Sequence, residues 1–67
     1  MAIRVKILET NTIVEVEREK LTVKELLEYL KLSSSENLML KGTTIMTEED
    51  ELVNGEEVVV FTVKSGG

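Results

Sequence analysis

The side chains of this protein offer a narrow range of chemistry. The sequence of 67 residues contains no cysteine and no histidine. A thiolate nucleophile, an imidazole base and a Ser-His-Asp triad are therefore excluded, and so are disulfides and Cys/His zinc sites. Carboxylates, lysines, hydroxyls and one tyrosine remain. A core and a substrate pocket of roughly 300 Å³ or more compete for space in so short a chain, which argues against an enzyme.

The two last residues stand out instead. Gly66 and Gly67 end the chain directly after the apolar run "EVVVFTV" and the two residues Lys64 and Ser65. Ordering a glycine costs more backbone entropy than ordering any other residue, so a pair of them beside a strand is unfavourable for the fold. The pair is either a frayed end, since termini are often disordered, or a chemical feature.

The charge of the chain narrows the class of partner. The formal net charge is −5, which argues against nucleic acids and anionic membranes, because both are bound by excess Lys and Arg. A basic partner would be attracted instead. No stretch approaches the roughly 18 apolar residues of a membrane span, and the start "MAIRVKILE" lacks the apolar block of a signal peptide. These features predict a cytoplasmic protein.

The first third of the chain alternates with the period of a strand. In "AIRVKIL", Ile3, Val5 and Ile7 share one face, and in "IVEVE", Val14 and Val16 do the same. The polar stretch "ETNT" between the two runs suits a turn. Two alternating runs separated by a short break predict a β-hairpin.

The segment "LTVKELLEYLKL" changes to the period of a helix. Its apolar stripe follows the spacing i, i+3, i+4, i+7 and consists of Val23, Leu26, Leu27 and Leu30. Thr22 and Glu25 have the spacing of a capping box at its start. We expect a helix of about three turns, ended by "SSSEN", that covers one face of the sheet.

The second half of the chain predicts three more strands. The segment "NLMLKG" is typical of a short strand that ends in a turn at Gly42. We expect a short edge strand at Thr44–Met46. The acidic segment "TEEDE" (Thr47–Glu51) suits a solvated loop or a helix start. It lacks the ligand spacing and glycine of an EF-hand, so we expect no metal site. Asn54-Gly55 indicates a tight turn. The nearly continuous apolar residues of "EEVVVFTV" indicate a final strand whose two faces are both covered or used.

The order of these elements resembles the β-grasp, or ubiquitin-like, fold. More narrowly, the chain resembles the ThiS/MoaD group of small sulfur carriers and the archaeal ubiquitin-like modifiers. The resemblance covers the whole chain and is carried by "IRVKIL", "TVKELLEYL", "LMLKG", "LVNGEEVVVF" and "SGG". It implies an α+β fold with a mixed sheet of four or five strands crossed by one main helix. Residues 1–63 would form the domain and residues 64–67 a flexible tail.

The resemblance also implies a function for the last residue. In that family an enzyme of the ubiquitin-activating type adenylates the terminal glycine with ATP, and sulfur transfer then gives a thiocarboxylate. Here Gly67 would be activated, with Gly66 beside it, so the protein would be a substrate and carrier that binds no cofactor itself. The sulfur would pass to a synthase in a thiamin, molybdopterin or tRNA-thiolation pathway, which we leave open.

Two other functions remain open at this point. The same activation could join Gly67 to lysines of other proteins, as in a ubiquitin-like modifier, or the glycines could be incidental to a non-covalent interaction module. For either covalent function, glycine has a physical advantage. A chain end without side chains can enter a narrow nucleotide site while the folded body, a monomer, stays outside.

The strand periods also predict the face on which a partner docks. We expect the helix to cover one face of the sheet, formed by Ile3, Val5, Ile7, Val14, Val16, Leu38, Leu40, Val58 and Val60. The opposite face would carry Met39, Val59, Phe61 and Leu8. By resemblance, the activating enzyme binds this second face. Phe61 is the expected aromatic anchor and Met39 an adaptable contact; the alternative is that both are ordinary apolar residues.

Overall fold

Seven strands and one helix make up residues 2–63, the part of the chain that the computed structural model describes. The elements are β1 (Ile3–Ile7), β2 (Thr12–Val16), β3 (Lys20–Thr22), α1 (Val23–Tyr29), β4 (Asn37–Lys41), β5 (Thr44–Met46), β6 (Glu51–Val53) and β7 (Glu57–Thr62). The predicted tail, residues 64–67, lies outside the described residues. In the described part, no helix has the length and apolarity needed to cross a membrane.

Five of the strands form one mixed sheet. Their order is β2-β1-β7-β4-β5. The two neighbouring strands β1 and β7 run parallel, while β2, β4 and β5 join by antiparallel pairing. The strands β3 and β6 form a separate antiparallel pair. A mixed five-stranded sheet with one helix confirms the predicted α+β fold of the β-grasp type.

The predicted hairpin is present. β1 and β2 pair from Ile3 opposite Val16 to Ile7 opposite Thr12. The turn between them includes Asn11 at φ 52°. Asparagine enters this left-handed region more readily than most residues, which explains why the polar "ETNT" segment reverses the chain.

The helix begins where the capping box predicts. The Thr22 hydroxyl accepts a hydrogen bond from the backbone N–H of Glu25 at 3.1 Å, and the Glu25 carboxylate accepts one from the backbone N–H of Thr22 at 2.9 Å. The Thr22 hydroxyl also lies 3.2 Å from the same carboxylate oxygen and can donate to it. The hydrogen bond from the Thr22 backbone, and then the one from its hydroxyl, hold the pKa of Glu25 below its ordinary value. Both bonds favour the ionised carboxylate.

The acidic segment Thr47–Glu51 completes the start of the helix. The backbone carbonyls of Asp50 and Glu48 accept hydrogen bonds from the N–H groups of Val23 and Lys24, at 2.9 and 3.2 Å. These are donors that a helix cannot satisfy internally. The segment itself is a turn closed between Thr47 and Asp50, followed by β6. It is therefore an exposed turn, as the predicted solvated loop requires, and not a helix start.

The helix is shorter than predicted. It has seven residues rather than three turns, because the chain reverses at Lys31, which has φ 60°. The N–H of Leu32 donates to the carbonyl of Leu27 at 2.8 Å, and the N–H of Lys31 to that of Glu28 at 3.0 Å. These two bonds define a Schellman motif, usually completed by glycine. Leu30 and Leu32 still pack against the core.

The core lies between the helix and one face of the sheet, which we call the inner face. Its buried members are Ile3, Val5, Val16, Leu21, Val23, Leu26, Leu27, Met39, Leu52, Val58 and Val60. Ile7 and Val14 pack against it while partly exposed. Seven of the nine residues that were predicted to face the helix are thus confirmed on this side.

The predicted orientation of β4 is wrong. Met39 is 1% exposed and belongs to the core, whereas Leu38 and Leu40 are only partly buried. Met39 pairs with Val60 on β7 and with Met46 on β5, so its side chain shares the face of Val60. In "LMLK" all three apolar residues are compatible with burial. Only the pairing with β7, which places Met39 opposite Val60, determines that Met39 is the buried residue.

The pair formed by β3 and β6 was not predicted. Leu21 and Leu52 face each other in this pair and are both buried. Each strand has three residues, which is too short for a period of two to be recognised. The Asn54-Gly55 turn is confirmed, with Gly55 at φ 96°, but it joins β6 to β7, which belong to different sheets.

Candidate docking face

The face of the main sheet that points away from the helix, the outer face, carries a mostly apolar row interrupted by one lysine. One residue from each strand aligns in register, and the row runs Ile13, Lys6, Val59, Leu40, Ile45 from β2 to β5. Four of these five residues are apolar. The two at the edges, Ile13 and Ile45, are 58% and 59% exposed. Adjacent apolar side chains on neighbouring strands form a contiguous surface.

A second apolar group lies next to this row, toward the end of β7. Phe61 pairs with Leu38 across β4 and β7, and both are partly exposed. Leu8 follows β1 directly, is also exposed, and lines a shallow hollow together with Phe61. The backbone N–H of Leu8 donates to the Val60 carbonyl at 2.9 Å, which holds Leu8 beside β7. We call these seven apolar residues of the two groups the apolar patch: Leu8, Ile13, Leu38, Leu40, Ile45, Val59 and Phe61.

The opposite end of the outer face is charged and paired within the molecule. The two guanidinium nitrogens of Arg4 lie 3.4 Å from carboxylate oxygens of Glu15 and Glu57. These residues are register partners of Arg4 on β2 and β7. Exposed pairs of this kind stabilise the fold little. They do leave the two ends of the outer face chemically distinct, one charged and one apolar.

Lys6 is the one charged side chain within the apolar row. It is exposed and forms no salt bridge with any of residues 2–63. Its four-carbon stem can lie along the neighbouring apolar side chains while the ammonium group stays in water. The patch is therefore an apolar surface with a single cation between Ile13 and Val59.

The structure brings together three of the four residues that were predicted to form the docking face. Phe61, Val59 and Leu8 lie in the apolar patch. Met39 does not, because its side chain is in the core on the other side of the sheet; its predicted position on this face is wrong. Gly66 and Gly67 lie outside the described residues, so their predicted role stays a prediction.

Sequence reasoning missed four members of the patch. Leu38 and Leu40 were assigned to the inner face, and Ile13 and Ile45 were not considered. A signal was present for Ile13. It is next in sequence to Val14, which was predicted to face the helix, so the Ile13 side chain had to point to the other face of the sheet. No comparable signal exists for Ile45, since a three-residue edge strand has no measurable period.

Glu56 has a structural role. Its carboxylate accepts a hydrogen bond from the Val53 N–H at 2.7 Å and contacts the Lys41 ammonium group. It thereby joins the Asn54-Gly55 turn to the end of β4. Among the described residues, no group of three or more acidic side chains is arranged to hold a metal ion.

The sequence matches no protein-family model, and no curated protein is significantly similar to it. The fold and the apolar patch therefore have to support any functional proposal.

Proposed function

We propose that this protein is a sulfur carrier whose Gly67 carboxylate is adenylated by an activating enzyme and then converted to a thiocarboxylate. The observation that carries the proposal is the combination of a β-grasp fold with an apolar patch on the strand that leads to Gly66-Gly67. The protein would be the substrate, and a ubiquitin-activating-type enzyme would use the ATP in the cytoplasm.

The position of β7 supports this proposal. β7 lies between β1 and β4, so two strands hold it in place. It contributes Val59 and Phe61 to the apolar patch and ends at Thr62. A partner seated on Phe61 is therefore close to Thr62 and Val63, which residues 64–67 follow in the sequence. Four extended residues reach roughly 13 Å, enough to separate a docking surface from a nucleotide site.

The proposed chemistry needs only a carboxylate from this chain. A Gly67 carboxylate oxygen attacks the α-phosphorus of ATP, the bond to the β-phosphate breaks, and pyrophosphate leaves. Hydrosulfide released by a sulfur donor then attacks the acyl carbon, AMP leaves with the oxygen that joined it to that carbon, and loss of the S–H proton gives the thiocarboxylate. Positioning and charge stabilisation come from the enzyme. This agrees with the absence of cysteine and histidine from the sequence.

Intact-mass measurement tests the proposal directly. Protein purified from its own cells should end at Gly67 and show replacement of one oxygen by sulfur at that residue. If the exchange is absent even after incubation with the activating enzyme, ATP and a sulfur donor, the proposed function is wrong. A variant that lacks Gly66 and Gly67 should keep its circular dichroism spectrum and lose all adenylation.

The same material separates the alternatives. A ubiquitin-like modifier would leave branched Gly-Gly remnants on lysines of other proteins after proteolysis. A non-covalent interaction module would keep its partner binding and cellular function in the variant without the two glycines. The genes adjacent to this one would distinguish thiamin, molybdopterin and tRNA-thiolation pathways, because their enzymes differ.

A further inference from the structure

The end of β7 is held by side-chain hydrogen bonds in addition to the sheet. Thr62 lies opposite Asn37 on β4. Its hydroxyl oxygen is 3.1 Å from Oδ1 of Asn37 and 2.5 Å from Oε2 of Glu9. A hydroxyl has one proton, which Thr62 shares between these two acceptors. One side chain thus connects the start of β4 with the turn after β1.

Asn37 is unusual because it is a polar residue inside the fold. At 8% exposure it is the one buried polar or charged residue among residues 2–63. Its Nδ2 donates to the Ser33 carbonyl at 2.8 Å, so Oδ1 is the atom that faces Thr62. Burying an amide is unfavourable unless its hydrogen bonds are made. Asn37 therefore depends on Thr62 as its partner at Oδ1.

A backbone hydrogen bond extends this arrangement by one residue. The N–H of Val63 donates to the Glu36 carbonyl at 2.7 Å. Thr62 and Val63 are thus attached on both sides, to Glu9 after β1 and to Glu36 and Asn37 at β4. Packing of the core does not explain these attachments, because the Thr62 side chain is only partly buried and Val63 is exposed.

We propose that Thr62 and Asn37 are positioning residues that fix the end of β7, the strand that precedes residues 64–67 in the sequence. The proposal rests on the proposed function, in which a partner sits on Phe61 and receives the Gly67 carboxyl group. If the end of β7 were detached, the backbone bonds of Thr62 and Val63 would also rotate freely. More freely rotating bonds would then separate the docked surface from the reacting carboxylate. The carboxylate would then occupy the reactive geometry less often, although docking itself would be unchanged.

The first test measures the attachment itself, without any partner. Thr62→Val keeps the shape and strand preference of threonine but removes the hydroxyl. The exchange rate of the Val63 amide hydrogen, followed by NMR, should rise about fivefold, the factor expected for the loss of one hydrogen bond. Thr62→Ser keeps a hydroxyl and should restore the slow rate. Thr44→Val, the same change on edge strand β5, should leave the Val63 rate as in the wild type.

The second test measures the reaction. Adenylation is followed by ATP–pyrophosphate exchange with each ubiquitin-activating-type enzyme encoded in the same genome. Thr62→Val should lower kcat roughly three- to tenfold with KM unchanged, and Thr62→Ser should restore it. A variant that only destabilised the fold would leave kcat per folded molecule unchanged. Thr44→Val should again resemble the wild type.

Each result decides one part of the proposal. An unchanged Val63 exchange rate in Thr62→Val overturns the attachment. Faster exchange with a normal kcat, or a change in KM alone, overturns the positioning role. If the wild-type chain is adenylated by none of the enzymes, the proposed function fails and the positioning role with it, while the exchange measurement still decides whether Thr62 holds the end of β7.

Discussion

Met39 and Val60 lie directly opposite each other on β4 and β7, and both side chains are almost completely buried. This pair sets the orientation of all of β4, because successive side chains of a strand point to opposite faces. With Met39 inside, Leu38 and Leu40 must face outward. Two leucines are thereby added to the apolar patch, and methionine is removed from it.

Truncation of Met39 should accordingly be far more damaging than truncation of its neighbour. Met39→Ala leaves a cavity in the core and should lower the free energy of unfolding by about 2–5 kcal/mol. Leu40→Ala, on the outer face of the same strand, should lower it by about 1 kcal/mol or less. Urea unfolding followed by circular dichroism measures both. Equal losses would contradict the orientation of β4.

A glycine at the end of the helix should stabilise the protein. Lys31 has φ 60°, which is unfavourable for a residue with a side chain. Lys31→Gly should therefore raise the free energy of unfolding by about 0.5–1 kcal/mol, after the greater entropy of glycine in the unfolded chain is allowed for. Lys24→Gly, in the helix, should lower it by a similar amount. The prediction is wrong if Lys31→Gly also destabilises the protein in thermal or urea unfolding.

The capping box should make stability depend on pH through Glu25. The folded state holds the pKa of Glu25 below its ordinary value of 4.5, so its stabilising contribution is present above that value. The contribution is lost as the pH falls through the lower, folded-state pKa. Glu25→Gln cannot titrate, yet suits the same capping position. It should lose less stability than the wild type between about pH 6 and about pH 3, measured by urea unfolding.

The matched control for this prediction is on the same helix. Glu28→Gln makes the identical change at an exposed position that has no part in the capping box. It should retain the acid sensitivity of the wild type. Parallel pH curves for the wild type and Glu25→Gln would show that the capping carboxylate does not contribute.

Docking of an activating enzyme should depend on Phe61. Phe61→Ala removes the aromatic side chain of the apolar patch and should weaken binding at least about tenfold, as expected for a central aromatic anchor. Tyr29→Ala removes the other aromatic ring, which is exposed on the helix, and should leave the affinity unchanged. Calorimetric titration with the enzyme, on variants shown to be folded, measures both. A similar loss in the two variants would argue against a specific docking face.

Local patterns predicted most of the fold. The hairpin follows from the alternation around Val5 and Val14, and the helix start from Thr22 and Glu25. These signals depend on residues close in sequence, whose periods and capping bonds are set by local backbone geometry. The end of the helix was misjudged because Leu30 continues the apolar spacing and nothing in the sequence signals that the chain turns at Lys31.

The candidate site was predicted only in part. Phe61, Val59 and Leu8 were correctly placed because each is next in sequence to a residue that was correctly predicted to face inward. Met39 was misplaced, because the three consecutive apolar residues of β4 allow either orientation. The pair of Thr62 and Asn37 had no sequence signal, since the two residues are 25 positions apart.

The amino-acid sequence by itself determined which elements form and which chemistry is excluded. Periods of two and 3.6, a capping box and the lack of cysteine and histidine are properties of neighbouring residues and of composition. Only the tertiary structure decided how β4 faces, that β3 pairs with β6, and that Thr62 meets Asn37. The reason is that strand register depends on contacts between distant segments, and a shift of one residue exchanges the two faces of a strand.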